Sequence, residues 1–231
     1  MVSTVTFPTE PVPVPKIVDD LAGGREVIPV WLNELGGVTF SLAGDEFVKV
    51  YPDEHAALLV AEADRLRWAI DFHPVPPVLA SGPGWLHTAA LPGRSAVHPH
   101  WIARPRTATR AIGEALRQLH DSLPVASSPF GRPSWVPADA PPADLLVVCH
   151  GDACSPNTLI GDDARWTGHV DFADLGVADR WADLAVAALS LEQNFEEGLE
   201  AELLDAYDIE VDDERMAYYR ARWESETGTS Q

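Results

Sequence analysis

Long apolar runs, cysteines and basic side chains are all scarce in this 231-residue chain, and each scarcity excludes something. No run approaches the roughly 20 apolar residues of a membrane-spanning helix. The N-terminus lacks the basic flank and apolar centre of a secretion signal. The expectation is a soluble, cytoplasmic protein without a membrane partner. The two cysteines, Cys149 and Cys154, sit close together with no second pair to complete a four-ligand zinc site, so reduced thiols are expected. Lys and Arg total 16 against 36 Asp and Glu, a formal charge of −20 that argues against nucleic acid or an anionic membrane as partner. From Asp171 onward there are 17 acidic and four basic residues. Such a segment is either a well-solvated surface or a field that draws in a polycationic ligand.

What remains is globular: 46% hydrophobic residues, and enough length for one large domain or two small lobes. The stretch Cys149-His150-Gly151-Asp152-Ala153-Cys154-Ser155-Pro156-Asn157 lies between an apolar entry (145–148) and exit (158–160), a polar loop fixed at both ends. Its residue types suit phosphoryl transfer. Asp152 can orient and deprotonate a hydroxyl, while Asn157 and a later carboxylate, Asp171, can hold Mg2+ against nucleotide phosphates. The turn-like Gly161-Asp162-Asp163-Ala164-Arg165 predicts a hairpin that returns Asp171 beside Asn157.

The pattern His150-Gly151-Asp152-x4-Asn157, followed by Val170-Asp171-Phe172-Ala173-Asp174-Leu175-Gly176-Val177-Ala178-Asp179-Arg180-Trp181-Ala182-Asp183, resembles the aminoglycoside phosphotransferase family of small-molecule kinases. The resemblance spans about residues 31–219. It implies a mixed α/β (α+β), bilobal, protein-kinase-like fold, with a nucleotide-binding lobe over 1–90 and a catalytic and substrate-binding lobe over 91–231. Two departures stand out: Ala173 occupies a position where the family usually has Gly, and Asp174 one where some relatives have Arg.

The first sixteen residues, rich in Pro, predict an extended arm. Short strands and turns follow over 27–32, 33–42 and 47–51. Gly36-Gly37 between them could lie close over phosphates or simply make a hairpin turn. The resemblance puts the nucleotide loop here, at Gly36, Gly37 and Thr39. Lys49, in an otherwise apolar strand, needs an anion. A helix capped by Asp53 and running to about Phe72 places Leu58, Leu59, Glu62, Leu66 and Ala69 on one stripe, and a carboxylate within it needs a partner. Lys49 with Glu62 is therefore the expected ion pair, steadying the lysine for phosphates.

The strands around the Gly82-Pro83-Gly84 turn are implied by the resemblance to lead into an interlobe linker, with Thr88 and Ala90 offering main-chain groups to a base. Residues 107–123 carry the clearest amphipathic helix, with His120 a hydrogen-bonded core residue. The aperiodic, Pro-rich 124–143 reads as a lid or mobile segment in which Trp135 and Asp139 suit a cationic sugar. The resemblance implies that Asp179 and Asp183 hold the catalytic loop from behind and offers Glu224 as a ligand for substrate amines. Asp174 adds negative charge that favours a cationic substrate or simply a neighbouring Arg, and the polar tail from Ser225 is expected to be disordered.

The function expected is Mg2+-assisted transfer of the γ-phosphoryl group of ATP or GTP to an aminoglycoside hydroxyl, by a monomer or weak homodimer. Left open are a kinase for another small molecule (a macrolide, an amino sugar, a choline- or homoserine-like metabolite), a non-catalytic nucleotide-binding protein, and a metal-dependent hydrolase.

Overall fold

A computed structural model describes residues 8, 10–33 and 35–227. Of the expected arm, residues 1–7 and 9 lie outside these residues, as does the tail beyond Thr227. The chain divides into two compact units, Met1–Trp68 with Pro76–Ala90, and Ala69–Val75 with Leu91–Gln231.

The first unit is built on five antiparallel strands, β1 (Val27–Leu32), β2 (Val38–Leu42), β3 (Glu46–Val50), β4 (Val78–Gly82) and β5 (Trp85–Ala89), in the order β1-β2-β3-β5-β4. Phe40, Leu42 and Val48 pack with Val18 and Ala22 of helix α1 (Lys16–Ala22) into a fully buried cluster. Successive strand side chains alternate faces, so burying Val48 against α1 turns Lys49 to the opposite face, where helix α2 (Ala56–Ala69) supplies its partner. α2 begins at Ala56 after a 3₁₀ turn over Asp53–His55, three residues later than the expected cap at Asp53, and ends at Ala69 rather than Phe72. Leu59, Glu62, Leu66 and Ala69 are buried as the stripe requires, but Leu58 is exposed.

The second unit is mainly helical. It contains α3 (Pro99–Ile102), α4 (Pro105–Ser122), α5 (Arg180–Asn194), α6 (Glu200–Tyr207) and α7 (Asp213–Thr227). α5 is buried without a break from Trp181 to Leu191, as expected of a helix that is apolar nearly all round. α7 carries the chain in helix through Ser225 and Glu226, where a disordered tail was expected, because Asp213 and Glu214 favour its N-terminus and Met216 and Tyr219 anchor it in the core.

Three short antiparallel pairings shape the site. β7 (Leu146–Cys149) pairs with β10 (Gly176–Asp179), Cys149 opposite Gly176. β8 (Thr158–Ile160) pairs with β9 (Trp166–His169), Thr158 opposite His169. β6 (Arg94–Ser95) adds to the outer edge of β8. Residues 150–157 and 170–175 are thus two loops whose ends are fastened to each other on both sides. None of the helices among the described residues is long and apolar enough to cross a membrane.

Candidate active site

The two fastened loops carry the acidic residues. Asp152 lies on the first and Asp171 on the second, and the hairpin closes through Val170 N–H donating to the Asn157 carbonyl at 3.0 Å. Asn157 Nδ2 in turn donates to the Asp152 carbonyl at 3.0 Å. That commits the amide nitrogen, so Oδ1 is the atom through which Asn157 could ligate a metal. Burial, with the Asp171 carboxylate behind it, pushes the Asp152 carboxyl above its ordinary value. Asp152 Oδ1 is itself buried and has no hydrogen-bond partner among the described residues. Two interacting carboxylates and an amide oxygen form a hard oxygen donor set that could hold a divalent cation such as Mg2+. Asp171 takes up a left-handed conformation (φ 67°), one of four non-glycine residues to do so among the described residues. Aspartate tolerates that region better than most side chains. Ala173 is not among the four, which is why alanine is accommodated there.

The loops are braced from behind by buried polar groups. Asp183, fully buried on α5, accepts from the His150 N–H (2.5 Å), the Gly151 N–H (3.0 Å) and His120 Nε2 (3.0 Å). Burial raises its pKa, but the His120 hydrogen bond, the neighbouring histidines and the His150 backbone outweigh it, holding the carboxyl below its ordinary range. His120 Nδ1 meets the Tyr207 hydroxyl at 2.8 Å, which makes it the expected hydrogen-bonded core histidine. His150, also fully buried, joins the loops: the Asp152 N–H donates to its Nδ1 (3.3 Å), so Nε2 carries the proton given to the Val170 carbonyl (3.0 Å). Asp179 caps α5 through the Trp181 N–H and pairs with Arg215.

His120, Cys149 and Asp183 bring three potential metal-ligating atoms within 4.8 Å of one another. Their bonding is already internal: His120 to Tyr207 and Asp183, and Cys149 Sγ to the Asp179 carbonyl at 3.4 Å. Burial pushes the Cys149 thiol up, away from the thiolate a metal needs. The cluster is core architecture.

In the first unit Lys49 Nζ donates to Glu62 Oε1 at 2.7 Å, with the side chains 19% and 2% exposed. Lys49 is one of only two lysines in the chain. Thr39 stands directly opposite it on β2, on the same face. The glycine turn has a structural explanation of its own. Asn33 Oδ1 accepts from the Leu35 and Gly37 N–H groups (3.1 and 2.7 Å), and the Asn33 carbonyl from Gly36 (3.1 Å), so these three amides are turned onto Asn33. Gly37 is required because a Cβ there would lie 2.4 Å from the Tyr51 ring, which Asn33 Nδ2 also grips through the hydroxyl at 2.6 Å. Ala90 N–H donates to the Asp45 carbonyl at 2.8 Å and is likewise taken, while Thr88 lies mid-sheet between Phe47 and Val78.

The structure also redraws the acidic surface residues. Asp174 accepts from the Ser134 N–H at 2.8 and 2.9 Å and from its hydroxyl at 3.1 Å, so this carboxylate holds a loop. Trp135 is buried and donates to the Gly151 carbonyl at 2.7 Å, which removes it from the expected sugar platform, whereas Asp139 and Glu224 remain exposed. Sequence reasoning missed the roles of Asn33, Tyr207 and Trp135. Only Asn33, an Asn three residues before a Gly-Gly turn, carried a local signal.

This geometry has counterparts. A model described as the phosphotransferase enzyme family matches residues 133–219. The chain is 31% identical to a streptomycin 3''-kinase of Streptomyces griseus, over 85% of this chain and 90% of that one. Among solved structures it is similar to an aminoglycoside-3'-phosphotransferase of type VIII (TM-score 0.74, 28% identity, 90% and 97% of the two chains). A second is aminoglycoside phosphotransferase APH(3'')-Id from Streptomyces rimosus in complex with ADP and streptomycin (TM-score 0.66, 25% identity, 90% and 98%). With relatives matched over nearly their whole length in sequence and in structure, the chain belongs to the aminoglycoside phosphotransferase family, kinases that transfer phosphate to hydroxyl groups.

Proposed function

We propose that this enzyme transfers the γ-phosphoryl group of ATP to a hydroxyl of an aminoglycoside, with Mg2+ as the metal. The observation that carries the reading is the Asp152 carboxylate, raised in pKa by burial and Asp171, on a loop that its neighbours fix from every side. A carboxylate so placed accepts the proton of an attacking hydroxyl and orients its oxygen. Asn157 Oδ1 and Asp171 would hold Mg2+, which when bound neutralises charge on the nucleotide phosphates. Lys49, paired with Glu62 and with Thr39 beside it, would offer nucleotide phosphates a fixed point charge. Because phosphoryl transfer asks mainly for positioning and charge neutralisation, the bracing by Asp183 and His150 belongs to the mechanism.

The aminoglycoside as acceptor is supported by the streptomycin 3''-kinase and the streptomycin-bound structure named above. The surplus of 17 acidic over four basic residues from Asp171 onward suits a polycation. Residues 1–90 would serve the nucleotide and 91–231 the acceptor. The test is coupled ADP release by purified protein with Mg2+ and ATP on adding streptomycin or other aminoglycosides. Release with at least one is expected, and none with any of them would overturn the assignment.

A further inference from the structure

We propose that Trp135 is a positioning residue for phosphoryl transfer, the centre of a strap over residues 131–135 that fixes the peptide unit leading into Asp152; this rests on Asp152 acting as the base. The peptide unit between Gly151 and Asp152 has two polar ends, and both are held. Its N–H donates to His150 Nδ1 at 3.3 Å, and its carbonyl accepts the Trp135 indole N–H at 2.7 Å. On the far side of the Asp152 Cα, the carbonyl accepts Asn157 Nδ2. With both flanking peptide planes pinned, the Cα–Cβ direction of Asp152 is set before any substrate arrives.

The strap is anchored independently. The Gly131 carbonyl accepts the Val177 N–H at 2.7 Å, next to the Gly176 that opens β10. Gly176 is needed there, because a Cβ would lie 2.4 Å from the Gly131 oxygen. Ser134 is gripped by both oxygens of Asp174, on the same loop as Asp171. One short segment therefore ties the loop of the base to the loop of the proposed metal ligand. The Trp135 ring, 5% exposed, is wedged edge-on against Trp223 (5.1 Å, 79°) and Tyr219 (6.2 Å, 90°) of α7. Tryptophan fits this demand because it delivers one N–H donor on a rigid apolar body. Phenylalanine keeps the wedge and loses the donor, leaving the buried Gly151 carbonyl without its partner.

The test compares wild type with Trp135→Phe and with a chain carrying 3-benzothienylalanine at 135, whose sulfur replaces the N–H at nearly constant shape. The first readout is hydrogen exchange of peptides over 149–157, which needs no activity. Both variants should exchange there roughly ten-fold faster, with helices α4 and α5 unchanged, since losing one hydrogen bond to a buried carbonyl shifts local opening by about that factor. The second readout is kinetic: kcat is expected to fall about ten- to a hundred-fold while KM for ATP stays within about two-fold. Unchanged exchange in the benzothienyl chain would overturn the strap, as would unchanged kcat in an active enzyme. A wild type without phosphotransfer would instead overturn the proposed function and leave the exchange result to decide the strap.

Discussion

Gly151→Ala concentrates the account on one atom. Gly151 has φ 85°, a conformation that costs alanine about 1–2 kcal/mol. An added Cβ would sit 2.1 Å from the Asp174 carbonyl oxygen and 2.6 Å from its carbon, and both are main-chain atoms that no rotamer change can move. Ordinary contact needs roughly 3.5 Å, so one loop must retreat by about 1 Å or more. Retreat breaks the Gly151 N–H bond to Asp183 and the Trp135 bond to the Gly151 carbonyl, each worth about 1 kcal/mol. The total is about 3–4 kcal/mol, or roughly 8–14 °C in Tm for a unit of this size. A displacement of that size next to the proposed base, Asp152, should also cost about a hundred-fold in turnover. Thermal melting and steady-state kinetics read both. A Gly151→Ala protein melting with wild type and turning over within about three-fold of it would refute the claim that the two loops interlock here.

Three further substitutions probe separate parts of the molecule. Lys49→Met removes an ion-pair partner of a 2%-exposed carboxylate and should cost about 3–5 kcal/mol by urea melts, whereas Lys49→Met with Glu62→Met should recover most of it. Additive losses would argue against the pair. His73, buried against His169 (2.9 Å) and Ser122, is pushed down to about 3, chiefly by burial. An imidazole kept neutral in the fold but free to protonate when unfolded contributes stability that is complete above pH 6.5 and lost on acidification, about 2 kcal/mol between pH 7 and 5. His73→Gln should flatten that slope, and an unchanged slope would remove His73 as its source. Ala164, in a left-handed conformation (φ 64°) in the β8–β9 turn, predicts that Ala164→Gly raises stability by about 0.5–1 kcal/mol, with a lower Tm as the contrary result.

Much of this was legible in the sequence because the signals are local. Period-two apolar runs broken by glycines located the first unit's strands, and a charged residue inside each of two apolar patterns brought Lys49 and Glu62 together. The hairpin turn placed Asp171 by Asn157 for the same reason. Errors fell where spacing is ambiguous: Asp53 lies in a 3₁₀ turn and Leu58 at the exposed edge of the stripe. Residues 124–143 defeated pattern reading altogether. An aperiodic segment reports nothing about hydrogen bonds to partners 16 or 40 residues away, so a strap anchored by the buried Trp135 was read as a lid with Trp135 facing substrate, and the Asp174 that holds Ser134 was read apart from it. The His73–His169 contact, 96 residues apart, was invisible for the same reason.

The central claim is that Asp152 is the base of a phosphotransferase, and Asp152→Asn tests it most directly. With the side chain's shape kept, calorimetry should find Mg-ATP binding within a few-fold of wild type, while aminoglycoside-dependent ADP release falls by about two to four decades. Turnover retained within ten-fold of wild type, with the nucleotide bound as before, would contradict it.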